Sequence, residues 1–273
     1  DDTLIPGALD NTASLGSISF ETSSAYYVVK NNILYGIDGR TATAIKYPEA
    51  FTNGGSDITL NTSSFRVLNS ATTIIGARAF TGSRVKEIIF GQFVFEIKEE
   101  AFMDSTLLEE ITLNTVMYNI GESAFKDCTA LVTVNDNSGI DVVGESAFEG
   151  CSSLTYMPFV SVSDMTIDDY AFKDTGITTA IINKGISYIG EGAFEEATEV
   201  HFLRFSNSIG TEGTSLTIEA DAFPNAVTVY YSMEDTMVDA AAASITSAVN
   251  VYQHVDWRHL VIQELAEPVP GYY

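Results

Sequence analysis

The sequence predicts a β-rich solenoid of stacked units about 23 residues long, and three observations lead there. An Ala-Phe pair recurs at Ala79-Phe80, Ala101-Phe102, Ala124-Phe125, Ala147-Phe148, Ala171-Phe172, Ala193-Phe194 and Ala222-Phe223. Successive Phe residues lie 22, 23, 23, 24, 22 and 29 positions apart. Between the pairs, apolar residues fall at spacings of three and then two. That suits a bend entering a short strand whose alternate side chains face inward. Finally, the 273-residue chain is 45% hydrophobic and only 18% charged, so it can bury a core while Ser, Thr, Asn and Gly supply most of its polar surface.

The chain reads as one repeat domain over residues 1–273, taken here in order. Residues 1–20 form a first partial repeat: Ala8-Leu9, Leu15, Ile18 and Phe20 reproduce the spacing of later copies, with Leu in place of Phe. Residues 21–64 depart from the pattern. The stretch YYVVKNNILYGIDGRTATAIKYP holds three β-rich runs with an Asn-Asn and an Asp38-Gly39 turn signal, which predicts a β-hairpin or three-stranded flap attached to the stack. Residues 65–230 are the stacked repeats, and the clearest unit is LEEITLNTVMYNIGESAFKDCTA, Leu108 to Ala130. One such unit can bury its apolar residues only against a neighbour. With rungs about 5 Å apart, eight copies make a slab roughly 40 Å long. Ser206 to Ser215, SNSIGTEGTS, accounts for the longer gap before Phe223 as an extruded polar loop. Residues 231–273 are the cap. Ser232 with Asp235 resembles a capping box, and Met237, Ala241 and Ile245 share one helical face. The tail VNVYQHVDWRHLVIQEL adds a strand and a cluster around Trp257, and EPVPGYY is a frayed end.

Charge and motif content exclude several functions. The chain carries 37 acidic against 13 basic residues, a formal net charge of −24. Nucleic acid and anionic membranes bind through dense positive charge, so neither is a partner. No apolar run reaches the roughly 20 residues of a membrane span, so the chain does not itself insert. It starts at Asp1 and not at Met, as expected if a leader or anchor has been removed. GxSxG, HExxH, Walker A and GxGxxG motifs are absent, as is a distinct pair of carboxylates suited to hydrolysis. His201, His254 and His259 read as surface or packing residues, and the protein is read as no enzyme. Cys128 and Cys151 hold the same position in adjacent rungs. A bond between them is within reach, but ladder neighbours have parallel Cβ vectors, which favours two buried free thiols.

The motif L-x-x-I-x-L followed by I-G-x-x-A-F-x-x-C, carried nearly complete by LEEITLNTVMYNIGESAFKDC, resembles the short leucine-rich repeat of the BspA-like family of bacterial cell-surface proteins. The inserted YYVVKNNILYGIDGRTATAIKYP also resembles that family's recurring Tyr-rich insertion. The resemblance covers roughly residues 5 to 230 and implies a leucine-rich-repeat solenoid. It further implies an exported or surface-displayed protein engaged in adhesion to host or extracellular proteins, without shared catalytic residues. Lys98, Asp168 and Glu219 stand where other copies have the turn glycines Gly76, Gly121, Gly144 and Gly190. The glycine is therefore favoured and not obligatory. The Asn that forms a ladder in longer leucine-rich repeats is missing, which fits the short class.

Two surfaces stand out when the rungs are aligned. Two positions before each Ala lie Glu99, Glu122, Glu145, Asp169 and Glu191, a row of carboxylates along one edge. Their mutual repulsion in water is about 0.8 kcal/mol per neighbouring pair at 5 Å, so a solvated edge is tolerable. Its functional reading is weak Ca²⁺ binding, the one cofactor the sequence suggests. By contrast Lys126, Glu149, Lys173 and Glu195, just after each Phe, alternate in sign and should compensate one another. The second surface is the outward side of the L-x-x-I-x-L strands, which places Thr112, Asn135, Tyr156, Thr179, Phe202 and Arg204 on a candidate face for a protein or glycan ligand on host or neighbouring cells. The alternative is a spacer or display scaffold with no ligand of its own.

Overall fold

A computed structural model describes residues 14–19, 26–52, 58–61, 72–135, 139–156, 164–183, 185–203, 216–219, 221–226, 228–232 and 250–254. Each repeat contributes two short strands, numbered here in chain order. The first set builds a ten-stranded sheet: β1 (Tyr27–Lys30), β2 (Ile33–Asp38), β3 (Thr41–Lys46), β5 (Thr72–Ile75), β7 (Val94–Ile97), β9 (Asn119–Ile120), β11 (Val142–Val143), β12 (Met165–Ile167), β14 (Ile186–Ile189) and β16 (Thr217–Ile218). The second set, from the L-x-x-I-x-L segments, forms two four-stranded sheets. One is β4 (Ile58–Asn61), β6 (Val85–Ile89), β8 (Glu110–Thr112) and β10 (Thr133–Asn135); the other is β13 (Thr179–Asn183), β15 (Glu199–Leu203), β17 (Thr228–Ser232) and β18 (Asn250–His254). Among the described residues, pairing within the repeats is parallel throughout, and only β1–β2 and β2–β3 are antiparallel. No helix occurs among the described residues. The expected cap helix, the Trp257 cluster, the loop 206–215 and the Ala8-Leu9 pair lie outside them.

The Ala-Phe pairs sit in the turn joining the two strands of a rung, and this turn is itself laddered. Phe102 N–H donates to Ala124 O at 2.7 Å and Phe125 N–H to Ala147 O at 2.8 Å, and so on up the stack. Rungs tied in this way have the pitch of a β-ladder, about 4.8 Å. The phenyl rings inherit that pitch. Tyr47 and Phe80, Phe102, Phe125, Phe148, Phe172, Phe194 and Phe223 form one column, with centroids 4.7 to 5.4 Å apart and planes within 20° of parallel. Near-parallel rings at that separation are offset-stacked, a favoured aromatic geometry. All are buried.

The inserted segment is a three-stranded antiparallel unit, as its turn signals predict, and it joins the stack closely. Strand β3 runs parallel to β5, with Ala42 opposite Thr73 and Ala44 opposite Ile75. Tyr47 N–H donates to Ala79 O at 2.7 Å, and Tyr47 takes the ring position below Phe80. Lys46 therefore stands where later rungs have Ala. Its buried ammonium is neutralised by Glu49 at 2.5 Å. The substitution of Lys-Tyr for Ala-Phe hides this rung from a search for the repeat.

Two residues in a typical turn adopt left-handed backbone. One lies directly before the Ala (Arg78, Glu100, Ser123, Ser146, Tyr170, Gly192, Asp221), the other two after the Phe (Gly82, Asp104, Asp127, Gly150, Asp174). The glycines singled out by sequence are at neither place. At Gly121 and Gly144 an added Cβ would lie 2.8–2.9 Å from backbone atoms of the rung below. Close approach, and not positive φ, favours glycine there.

Three residues after each Phe comes a column of small side chains: Ser83, Ser105, Cys128, Cys151, Thr175, Ala197 and Ala226, all buried. Ser105 Oγ donates to Phe80 O at 2.9 Å, Cys128 Sγ to Phe102 O at 3.2 Å and Cys151 Sγ to Phe125 O at 3.1 Å. Both cysteines are free thiols, and burial pushes their pKa values up. They act as small hydrogen-bond donors, interchangeable in role with Ser. A lone buried amide, Asn114, clamps one loop to the rung below. Its Nδ2 donates to Gly91 O and Val94 O, both at 2.7 Å, and its Oδ1 accepts from Val116 N–H at 2.8 Å.

Two outcomes follow from this packing. Phe148→Ala leaves a ring-sized void between two stacked rings and should cost about 3–5 kcal/mol in urea unfolding, with Phe148→Leu costing less. Asp127 is the second case. Partial burial, then the charges of Asp104, Glu149 and Asp174, raise its pKa against the pull of Lys126. An acid raised on folding stabilises the fold when protonated, and that stability is lost as pH rises through the folded pKa. Asn tolerates the left-handed backbone. Asp127→Asn should therefore raise stability at pH 7 by up to about 0.5 kcal/mol, with the gain vanishing in melts at pH 3.

Candidate functional site

The outward rows of the L-x-x-I-x-L strands are set by parallel register. Glu87 lies opposite Glu110, and Glu110 opposite Thr133; in the next row Ile89, Thr112 and Asn135 are in line. The alternate residues Ile88, Ile111 and Val134 point into the core. Adjacent like charges on one row need partners, and they have them. Thr59 Oγ1 donates to Glu87 Oε2 at 3.0 Å, and Asn135 Nδ2 donates to Glu110 Oε1 at 2.6 Å and to Thr112 Oγ1 at 3.3 Å. Lys86 pairs with Glu109 at 3.2 Å beside this network. Thr112 and Asn135 are thus brought together on a half-exposed polar surface, with Val132 exposed at its margin.

The remaining sequence-assigned face residues are distributed differently. Tyr156 is half-buried, and its hydroxyl accepts the N–H of Val134 at 3.2 Å, so it covers the edge of β10. Thr179 lies in the other four-stranded sheet, beside the exposed Ile181. There the pairing is Thr179 to Glu199, Ala180 to Val200 and Ile182 to Phe202. Sequence alignment by repeat length had put Phe202 level with Thr179. The true register is three residues shorter, because the segment from Ala193-Phe194 to β15 is shorter than its counterparts. Phe202 thus aligns with a core position. His201 takes the place beside Ile181 and is buried, 3.5 Å from Glu199 Oε1. Arg204 lies outside the described residues.

The acidic row lies along the turn edge, with Glu99, Glu122, Glu145 and Glu191 exposed and Asp169 half-buried. Asp169 Oδ1 accepts the N–H of Glu191 at 2.8 Å, and Glu191 Oε1 accepts the Tyr170 hydroxyl at 3.0 Å. Among the described residues no three Asp, Glu, His or Cys side chains converge as a metal site would require. A row of parallel side chains offers one ion fewer oxygen ligands than a folded loop does. The neighbouring row pairs as its alternation predicts, Lys126 with Glu149 at 2.7 Å and Lys173 with Glu195 at 3.4 Å; Arg78 also meets Glu100 at 2.5 Å. The Arg78 hydrogen bond holds the Glu100 carboxyl below its usual range. Partial burial raises Glu149, but the Lys126 and Ser146 hydrogen bonds and the Lys126 and Lys173 charges outweigh it and hold it low.

Sequence reasoning assigned no strand to the segment before the turn glycine and so missed the outward side of the ten-stranded sheet. Val116 and Tyr118 are exposed there, Tyr118 at 45%. The signal was present as the Ile or Val before each turn-glycine position, as at Ile75-Gly76, Ile120-Gly121 and Ile189-Gly190.

The BspA type leucine rich repeat region (6 copies) matches residues 58–165 and 165–235. Comparison with curated proteins finds no match. Among solved structures, the chain is similar to a leucine-rich repeat protein from Eubacterium ventriosum, with a TM-score of 0.52 and 23% identity over 74% of this chain and 57% of that one. It thus spans little more than half the length of that protein. It is also similar to a leucine rich cell surface protein from Faecalibacterium prausnitzii (TM-score 0.47, 17% identity, 84% of this chain and 73% of that chain) and to the T. pallidum leucine rich repeat protein (TM-score 0.45, 16% identity, 85% and 98%). The first of these likenesses concerns the fold alone, while the repeat model covers well over half of the sequence: this chain belongs to the BspA-type leucine-rich-repeat family.

Proposed function

We propose that the protein is a non-enzymatic binding module, surface-exposed or secreted, that engages a host or extracellular protein or glycan through the outward side of its L-x-x-I-x-L strands. The observation that carries this reading is the Glu110–Asn135–Thr112 network. It holds amide, hydroxyl and carboxylate groups in fixed register on an open face, and preorganised polar groups bind without an ordering cost. The exposed apolar side chains Val132 and Ile181 lie on the same side and supply desolvatable surface. Parallel ladders of repeats present extended faces of this kind. Family membership supports both the absence of catalysis and display outside the cell.

The test is retention on an array of matrix proteins, mucins and glycans. Thr112→Arg with Ile181→Glu should lower retention at least about tenfold while the melting temperature stays unchanged. If the parent protein is retained on nothing at micromolar concentration, the protein acts as a spacer. For the acidic row, millimolar Ca²⁺ should move the melting temperature no more than NaCl of equal ionic strength does. A larger rise with Ca²⁺ would restore that row as a cation site.

A further inference from the structure

The outward side of the ten-stranded sheet carries a second surface. Its register aligns Ile74, Glu96, Asn119 and Val142 from β5, β7, β9 and β11. One residue earlier, Tyr118 N–H donates to Phe95 O at 3.1 Å and Asp141 N–H to Tyr118 O at 2.9 Å, so Phe95, Tyr118 and Asp141 are stacked neighbours. Tyr118 is 45% and Val116 38% exposed. Val116 N–H is bonded to Asn114, which is itself tied to Gly91 O and Val94 O, and Tyr118 is laddered to Phe95 and Asp141, so both exposed groups are held in place. Glu96 is oriented too, since Asn119 Nδ2 donates to its Oε1 at 3.1 Å.

The outward positions of these four strands carry Glu96 and no Lys or Arg, and Asp141 directly precedes β11. An aromatic ring flanked by two carboxylates matches the guanidinium group, which stacks on an aromatic face and pairs with carboxylates through its fork of N–H donors. From this charge complementarity we infer that the surface around Phe95, Tyr118, Glu96 and Asp141 docks an extended segment of a partner protein in which Arg alternates with apolar side chains, one Arg seated on Tyr118. The alternation follows from the sheet: apolar Phe95 adjoins Glu96 along the strand, and Tyr118 stacks between Phe95 and Asp141. This surface is on the opposite side of the solenoid from the Thr112–Asn135 face and stands or falls independently of it.

Anisotropy titration of a labelled peptide alternating Arg and Leu against the full chain tests the inference. Tyr118→Ala and the double variant Glu96→Gln/Asp141→Asn should each weaken binding about tenfold or more. Glu122→Gln/Glu145→Gln, which removes the same charge from the turn edge, should change it less than about twofold. Equal weakening by both double variants would reduce the effect to diffuse attraction by the net negative charge and overturn the inference. So would equal binding of a counterpart peptide with Glu for Arg, or binding that ignores Tyr118. The Thr112→Arg/Ile181→Glu variant should leave this titration unchanged, which separates its failure from that of the other face.

Discussion

Everything in this molecule depends on the rung pitch that the parallel backbone ladders impose. Hydrogen bonds between successive strands and successive turns hold equivalent residues about 5 Å apart, and only side chains that tolerate a copy of themselves at that distance suit the interior. Phenyl rings do, because offset stacking at this separation is favourable. Small hydroxyl and thiol donors do too, because Ser105, Cys128 and Cys151 each reach the Phe carbonyl of the rung below. The core is therefore sorted into columns: rings from Tyr47 to Phe223, small donors from Ser83 to Thr175, branched aliphatics along both strands.

The same pitch governs the surface less kindly. Carboxylates repeated at one position become a row of like charges, and the molecule answers in two ways. Where the row faces water, as at Glu99, Glu122 and Glu145, solvent screens it. Where it is half-buried, a partner is supplied: Asn135 for Glu110, Thr59 for Glu87, Lys126 for Glu149. Asp127 has less relief, since Asp104 and Asp174 share its column and Lys126 offsets them only in part; with Asp168 and Glu196 it is among the acids whose protonated form the fold favours. The outward faces thus combine rigidity with unspent hydrogen-bonding capacity, which is what a recognition surface needs and a bare spacer does not.

The solenoid class, the two cysteines as unbonded neighbours and the self-pairing Lys–Glu row were all legible in the residues, because a repeat of fixed length translates directly into columns. What escaped was whatever broke the repeat. Lys46-Tyr47 fills an Ala-Phe position, but two changed residues at once erase the motif. A uniform spacing misplaces Phe202 because the repeat from Thr179 to Glu199 is three residues shorter than that from Glu87 to Glu110 or from Glu110 to Thr133, and length alone cannot tell where a ladder resumes. The strand before the turn glycine, only two residues long at Asn119–Ile120 and Val142–Val143, is there too short to show an alternation.

The amino-acid order by itself determined that the chain must stack: no single unit buries enough apolar surface to stand alone, so the Ala-Phe spacing dictates a solenoid whatever the details. Only the tertiary structure decided which residues share a face. The backbone register sets whether Thr179 meets Glu199 or Phe202, and a buried amide fixes the loop at Val116. Those choices are made by hydrogen bonds between rungs, which are distant in sequence, and both proposed binding surfaces rest on them.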